Sequence, residues 1–291
     1  MGRLIVNADD FGLTSGVNRA IIELHAAGLV TSASLMARAE ATDEAIELAG
    51  SAPSLGVGCH VILADGEPTL PPAQIPTLVD QKTGCFHVSL AGFLTRLFTG
   101  RIRGAEIEAE VGAQIATLQR RGVRLTHIDT HKHLHIFPGV LRPVLRAGRK
   151  CGIHAVRNPF EPAWAIRATQ GAALARVAQV SVLRWLEPMC RRSIAEEGFS
   201  TTDGTIAVAG TGAFNAPFLH SLLEQLPAGT WELVTHPGYD DADLARVRTR
   251  LRASRDIERQ ALAALKEFPL INLASFAELT SPRNSSSSET I

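Results

Sequence analysis

The chain has 291 residues, 45% of them hydrophobic, with 29 Lys+Arg balanced by 29 Asp+Glu. That length can bury a sizeable core. Zero net charge argues against broad binding to nucleic acid or anionic membrane, and 5% aromatics with a single Tyr argue against base-stacking platforms. The four cysteines (Cys59, Cys85, Cys151, Cys190) are scattered without a C-x-x-C pair, which fits a reducing compartment. The opening MGRLIVNADDFG reaches two acids by position 10 and so lacks a signal-peptide apolar core. No apolar run approaches the roughly 18 residues of a spanning helix. The expectation is a soluble, cytoplasmic protein with no transmembrane segment, its oligomeric state open.

In chain order, Arg3–Ala8 reads as a buried strand, because Leu, Ile and Val sit together before two acids stop the run. Val17–Ala27 has helical spacing, with Gly28 as its end cap. Thr31–Leu35 reads as a strand, Thr42–Ala49 as a helix and Gly56–Leu63 as a third strand. Asp65–Ser89 is rich in Pro and Gly without a period, and reads as a long functional loop. Helices are expected at Leu90–Leu97 and at Ala105–Arg121, the second ending at Gly122. Arg124–Asp129 reads as a strand, Gly139–Cys151 as a helix and His154–Val156 as a short strand. Ala163–Ile194 looks mainly helical, broken at Pro188. Thr205–Ala209, Trp231–Thr235 and Leu270–Asn272 are further strands, separated by helices near Ala216–Gln225 and Asp243–Lys266. Strand–helix alternation with seven or eight strands implies a parallel sheet covered by helices, leaning towards an irregular (β/α) barrel. Residues 1–280 form the expected single catalytic domain; Ser281–Ile291 reads as a disordered polar tail.

No phosphate-binding G-x-x-x-x-G-K-[ST] loop, G-x-S-x-G elbow or complete dinucleotide fingerprint is present. Chemistry concentrates elsewhere. Asp9 and Asp10 close the first strand, at the end where parallel folds build their sites. Adjacent carboxylates there need a cation or donors, or else they cap a helix beginning near Thr14. His60 lies near the end of the third strand, as a ligand or a core histidine. In His127–His135 (HIDTHKHLH), polar residues alternate at 127, 129, 131, 133 and 135, and would share one side of an extended segment. Four of ten histidines fall in these nine residues, a density that suits metal ligation with a carboxylate to orient the imidazole. His236 follows the apolar run WELV, where a general acid or base would fit. Arg157 at a strand end could hold a catalytic carboxylate ionised, or lie on the surface. The arginines from Arg246 to Arg259 read as a solvated helix face balanced by nearby acids, or as a docking surface for an acidic partner or a lipid headgroup.

Joined, Asp10, His60 and His131 make an Asp-His-His ligand set with positions left for water, which suits Zn²⁺ and tolerates other divalent ions. Asp9 would be the base and His236 the acid in metal-assisted hydrolysis of an amide or ester. Alternatives are a metal-dependent phosphoesterase and a sugar-binding module without chemistry.

The chain resembles the YdjC-like carbohydrate deacetylases, which include chito-oligosaccharide and hopanoid-associated enzymes. The resemblance rests on NADDFG (Asn7–Gly12), VTSAS (Val30–Ser34), Gly58–His60, HIDTHKHLH (His127–His135), HPGY (His236–Tyr239) and the later RLRASRDIE. It implies an irregular (β/α) barrel like that of the polysaccharide deacetylases, acting on an N-acetylated sugar with one divalent ion, Zn or Mg. By this resemblance Asp10, His60 and His131 are the metal ligands, Asp9 the base and His236 the acid. Arg157 with Pro159 is similar to an R-x-P motif that orients the base. Asp129, His133 and His135 would stand behind the ligands or face substrate. Lys132, where many chito-oligosaccharide enzymes carry a histidine, brings the chain closer to the hopanoid-associated branch, so the resemblance implies an N-acetylated amino sugar that is either an oligosaccharide or a lipid-linked glycan. Specificity would lie in the Asp65–Ser89 loop and the Ala163–Ile194 insert.

Overall fold

The computed structural model describes residues 2–169, 173–267 and 272–279; the expected polar tail lies outside them. Seven parallel strands form one sheet: β1 (Arg3–Phe11), β2 (Ser32–Leu35), β3 (Gly56–Val61), β4 (His127–Thr130), β5 (Gly204–Ile206), β6 (Thr230–Thr235) and β7 (Asn272–Ala274). Their order is β4-β3-β2-β1-β6-β5, with β7 also paired to β1. Beyond β4 the bonding continues through short pieces. Ile128 N–H donates to Ala155 O (3.0 Å), Val156 N–H to Ser200 O (3.0 Å) and Thr205 N–H to Phe160 O (3.0 Å). These bonds carry the ring from β4 to β5, so the sheet curls into the expected irregular (β/α) barrel. The short strand expected at His154–Val156 is reduced to single bridges within this closure. Of Leu270–Asn272, only Asn272 is described; the strand there runs Asn272–Ala274.

The helices wrap the outside, as crossovers between parallel strands require. They are α1 (Ser15–Ala26), α2 (Thr42–Ser51), α3 (Leu90–Phe98), α4 (Gly104–Arg120), α5 (Pro138–Lys150), α6 (Ala163–Ala168), α7 (Leu174–Leu183), α8 (Glu187–Glu196), α9 (Ala216–Glu224), α10 (Ala242–Arg246) and α11 (Arg252–Ala263). The outer core is continuous: Leu4, Val6 and Ala8 of β1 share it with Val17 and Ile21 of α1 and Leu262 of α11. None of these helices is long and apolar enough to cross a membrane.

The lumen is layered. At the N-terminal end Ile5, Ala155, Ala274 and Phe276 form a small apolar plug, and His127 stacks on Phe276 with ring centroids 3.9 Å apart. Above it the lumen is polar. Asn7 of β1 bonds Ser34 of β2 (2.9 Å), and Ser34 bonds Asp129 of β4 (2.9 Å), a strand that is not its neighbour. Such bonds run across the barrel, and they present side chains towards the C-terminal rim, where sites of this architecture are built.

Candidate active site

The expected metal ligands, base and acid sit at that rim: Asp9 and Asp10 on β1, His60 on β3, His131 just after β4 and His236 just after β6. Consecutive strand residues ordinarily point to opposite faces. Here the β1–β2 register slips between Ala8 and Phe11, and Asp10 takes φ +66°. That bulge brings both aspartates to the same site, a strained geometry of the kind that persists where function requires it.

Asp10 Oδ1 lies 3.2 Å from His131 Nδ1 and 3.5 Å from His60 Nε2, and the two ring nitrogens are 3.3 Å apart. Donors held about 2.1 Å from one ion lie roughly 3.0–3.4 Å from each other, so this triangle has the size of a metal cradle. Asp10 Oδ1 is buried, and among the described residues it faces those two ring nitrogens with poorly directed contacts, a geometry better suited to sharing an ion than to hydrogen bonding. His60 is oriented from behind: its Nδ1 meets Asp129 Oδ1 at 2.8 Å, which leaves Nε2 towards the cradle. A second group, Asp9, His60 and Asp129, is also close enough to hold an ion. Its carboxylates are already taken by a cation, because Arg157 bonds Asp9 Oδ1 (2.6 Å) and Oδ2 (2.9 Å) and Asp129 Oδ2 (2.6 Å). The residues therefore fit one divalent ion at Asp10, His60 and His131.

Electrostatics agree. Burial would raise the Asp10 carboxyl, but the Arg255 guanidinium and bonds from His131 and His60 outweigh it and hold it well below the usual range. Burial would likewise lower His60, yet Asp129, Asp9 and its bonds to Asp10 and Asp129 push it up to about 10. The pocket thus attracts positive charge, and an ion binding there displaces a proton.

Arg157 is fully buried and gathers three carboxylates, the third being Glu232 of β6 at 2.7 Å from Nε. Removing the charge at the centre of such a cluster costs about 3–5 kcal/mol, because it strands buried carboxylates. His236 Nε2 stands 3.9 Å from Asp9 Oδ2, and its backbone N–H donates to Glu258 Oε2 at 2.6 Å. Burial is the main reason its imidazole falls to about 4, so it is neutral near pH 7.

The shared side expected for residues 127–135 does not form. The strand ends at Thr130, and Lys132 and His133 take φ +59° and +52°, a left-handed kink that turns the chain over the rim. Asp129 reaches His60 and Arg157, and His133 lines the cavity. His135 is buried against Thr130 Oγ1 (2.7 Å), and His127 faces the apolar plug. The solvated-face reading of the late arginines also fails at one position: Arg255 is 1% exposed and bonds Asp10 Oδ2. Glu232 and Glu258 were not singled out from sequence; a lone acid inside WELV was the signal for the first.

A cavity of about 1400 Å³ opens above these groups, with Asp9, Asp10, His60, His131 and His236 among the residues that line it. Small-molecule pockets usually measure about 300–1,000 Å³, so there is room for more than one sugar ring. The Asp65–Ser89 loop and the 163–194 insert both border the cavity, through Asp65, Gly66 and Val88 and through Arg176, Val180 and Leu183.

The chain is similar to several known proteins. The chain is 31% identical over 281 residues to a carbohydrate deacetylase of Brevibacillus brevis, covering 95% of this chain and 99% of that protein. It is 34% identical over 180 residues to a chitooligosaccharide deacetylase of Escherichia fergusonii, covering 58% of this chain and 66% of the relative. Its fold is similar to the crystal structure of a putative cellobiose-phosphate cleavage protein from Enterococcus faecalis. That match has a TM-score of 0.74 and 26% identity over 96% of this chain and 98% of the other. The profile of the YdjC-like proteins matches residues 3–268, and the chain belongs to that family.

Proposed function

We propose that this protein is a metal-dependent carbohydrate N-deacetylase that removes acetyl from an N-acetylated amino sugar. The observation that carries the reading is the junction of two devices on one cavity floor: an unsatisfied Asp-His-His cradle and, beside it, a carboxylate held by arginine with a histidine across from it. The relatives named as carbohydrate and chitooligosaccharide deacetylases supply the substrate class. Two imidazoles and one carboxylate favour Zn²⁺ over Mg²⁺, which prefers oxygen donors. A divalent ion held by Asp10, His60 and His131 would lower the pKa of a water and polarise the acetyl carbonyl.

The chain's own groups then move the protons. Asp9, oriented by Arg157 and by Asn7 Nδ2 (3.0 Å from Oδ1), takes the proton of the water whose oxygen attacks the acetyl carbon. His236 is neutral at the outset, so it receives this proton from Asp9 and delivers it to the sugar nitrogen as the C–N bond breaks. Acetate and the free amine result.

A phosphoesterase of the two-ion kind is disfavoured, since the only second ligand group among the described residues shares His60 and is neutralised by Arg157. The cavity wall favours a sugar carrying an apolar aglycone, because Leu90, Leu94, Phe137, Val180 and Leu183 line it and Trp185 is 86% exposed nearby in sequence. Asp9→Asn tests the assignment: we expect turnover to fall at least 100-fold while one bound ion per chain is retained, measured by acetate release and metal analysis. Loss of the ion together with activity would instead make Asp9 a ligand.

A further inference from the structure

Arg255 enters the site from α11, and nothing in the proposed chemistry uses it. Its guanidinium is buried, and its one hydrogen bond among the described residues goes to Asp10 Oδ2; Nε and Nη1 have none. The chain makes room for it. A Cβ at Gly238 would lie 3.2 Å from Arg255 Cδ and 3.4 Å from its Cβ, and Gly238 N–H donates to Arg255 O at 3.3 Å. Opposite, the bulge at Asp10 fixes the carboxylate so that Oδ2 meets Arg255 and Oδ1 faces His60 and His131.

On the reading that Asp10, His60 and His131 hold the ion, we propose that Arg255 is a positioning residue that restricts Asp10 to ligation through Oδ1 alone. A free carboxylate can bind a divalent ion through one oxygen or both. Here the second oxygen is engaged, so Asp10 donates less charge and the ion stays more electrophilic. The same guanidinium charge opposes a second cation close by. Arg255 therefore weakens metal affinity while it sharpens the ion's Lewis acidity.

The test uses full-length protein stripped by chelator and loaded with Co²⁺, whose visible absorption reports coordination number. Arg255→Gln removes the charge and frees Oδ2. A like charge within about 4–6 Å shifts a neighbouring ionic equilibrium by a unit or more, so R255Q should bind Co²⁺ about tenfold tighter in chelator competition. Its absorption per bound ion should fall as a second oxygen joins. Arg255→Lys keeps the charge, and its affinity should stay within about twofold of the parent. Unchanged or weaker Co²⁺ binding by folded R255Q, with the parent spectrum, overturns the proposal. So does a folded R255K whose affinity departs tenfold from the parent in either direction, which decides the matter even where R255Q does not fold. If the parent protein itself binds no Co²⁺, the metal-site reading fails instead, a result that is distinct from both.

Discussion

At the scale of single residues, the site is a contest between burial and charge. Asp9, Asp129 and Glu232 converge on buried Arg157, and Asp10 meets buried Arg255, while Glu258 accepts from the His236 backbone. Burial is the main cause that pushes Glu258 and, beside the 207–209 loop, Glu161 up to about 7, and it raises Glu232 as well. The folded protein thus keeps protons on these acids that the unfolded chain releases above about pH 4.3. His60 adds to this in the metal-free protein: raised by its carboxylate neighbours, it stabilises the fold below about pH 6.5 and loses that contribution as pH climbs towards its folded value. The lowered Asp10 and Asp129 contribute fully above about pH 4. The lowered His127, His135 and His236 titrate below about pH 6.5 and change nothing above it. The thermal midpoint of metal-free protein should therefore fall between pH 6.5 and 9 in a melting series; a flat or rising midpoint would refute these assignments. Asp9, Asp10, His60, His131 and His236 were legible in the sequence because each ends or follows a strand. Arg255 was not, since six arginines recur between Arg246 and Arg259 and only packing shows which one turns inward.

At the scale of elements, close approach between strands decides what can reach the rim. Gly58 of β3 is an example: a Cβ there would lie 2.3 Å from His127 Nε2 on β4. The glycine lets the His127 ring lie across β3 towards the Phe276 plug and keeps His60, two residues on, in register with Asp129. Gly58→Ala should destabilise the fold by about 1–3 kcal/mol, as overpacking does, and weaken metal binding through His60. A urea midpoint and an ion-binding isotherm unchanged from the parent would contradict that. Periodicity revealed most helices and the central strands, because both depend on local pattern. It misjudged His127–His135, where alternation predicted one polar face. Left-handed Lys132 and His133 end the strand, and Lys132 instead reaches Asp65 Oδ2 at 2.8 Å, tying the long loop to the turn that carries His131. Outside glycine, left-handed backbone is enriched in Asn, Asp and His, which suits His133, but nothing in residue type marks Lys132 for it.

At the scale of the whole molecule, the barrel sorts its lumen along the axis, from apolar plug through a buried polar layer to an open cavity. The middle layer fixes the orientation of the rim groups before any substrate arrives, which is how preorganised sites lower barriers. Strand–helix alternation made this architecture readable, and the short run at 154–156 marked one part of the closure, whereas its partner at Ser200 forms a single bridge too short to carry a pattern. The central claim is that one ion in the Asp10–His60–His131 cradle and the Asp9–His236 pair together hydrolyse a sugar N-acetyl group. Its most direct test is acetate release from N-acetylglucosamine oligomers and from a glycolipid bearing the same sugar, with protein stripped by chelator and restored with Zn²⁺ or Mg²⁺. Release should disappear on stripping and return with the ion, more efficiently with Zn²⁺ and on the glycolipid. Acetate release that survives complete removal of the ion, or no release from either substrate by protein shown to hold one ion per chain, would contradict it.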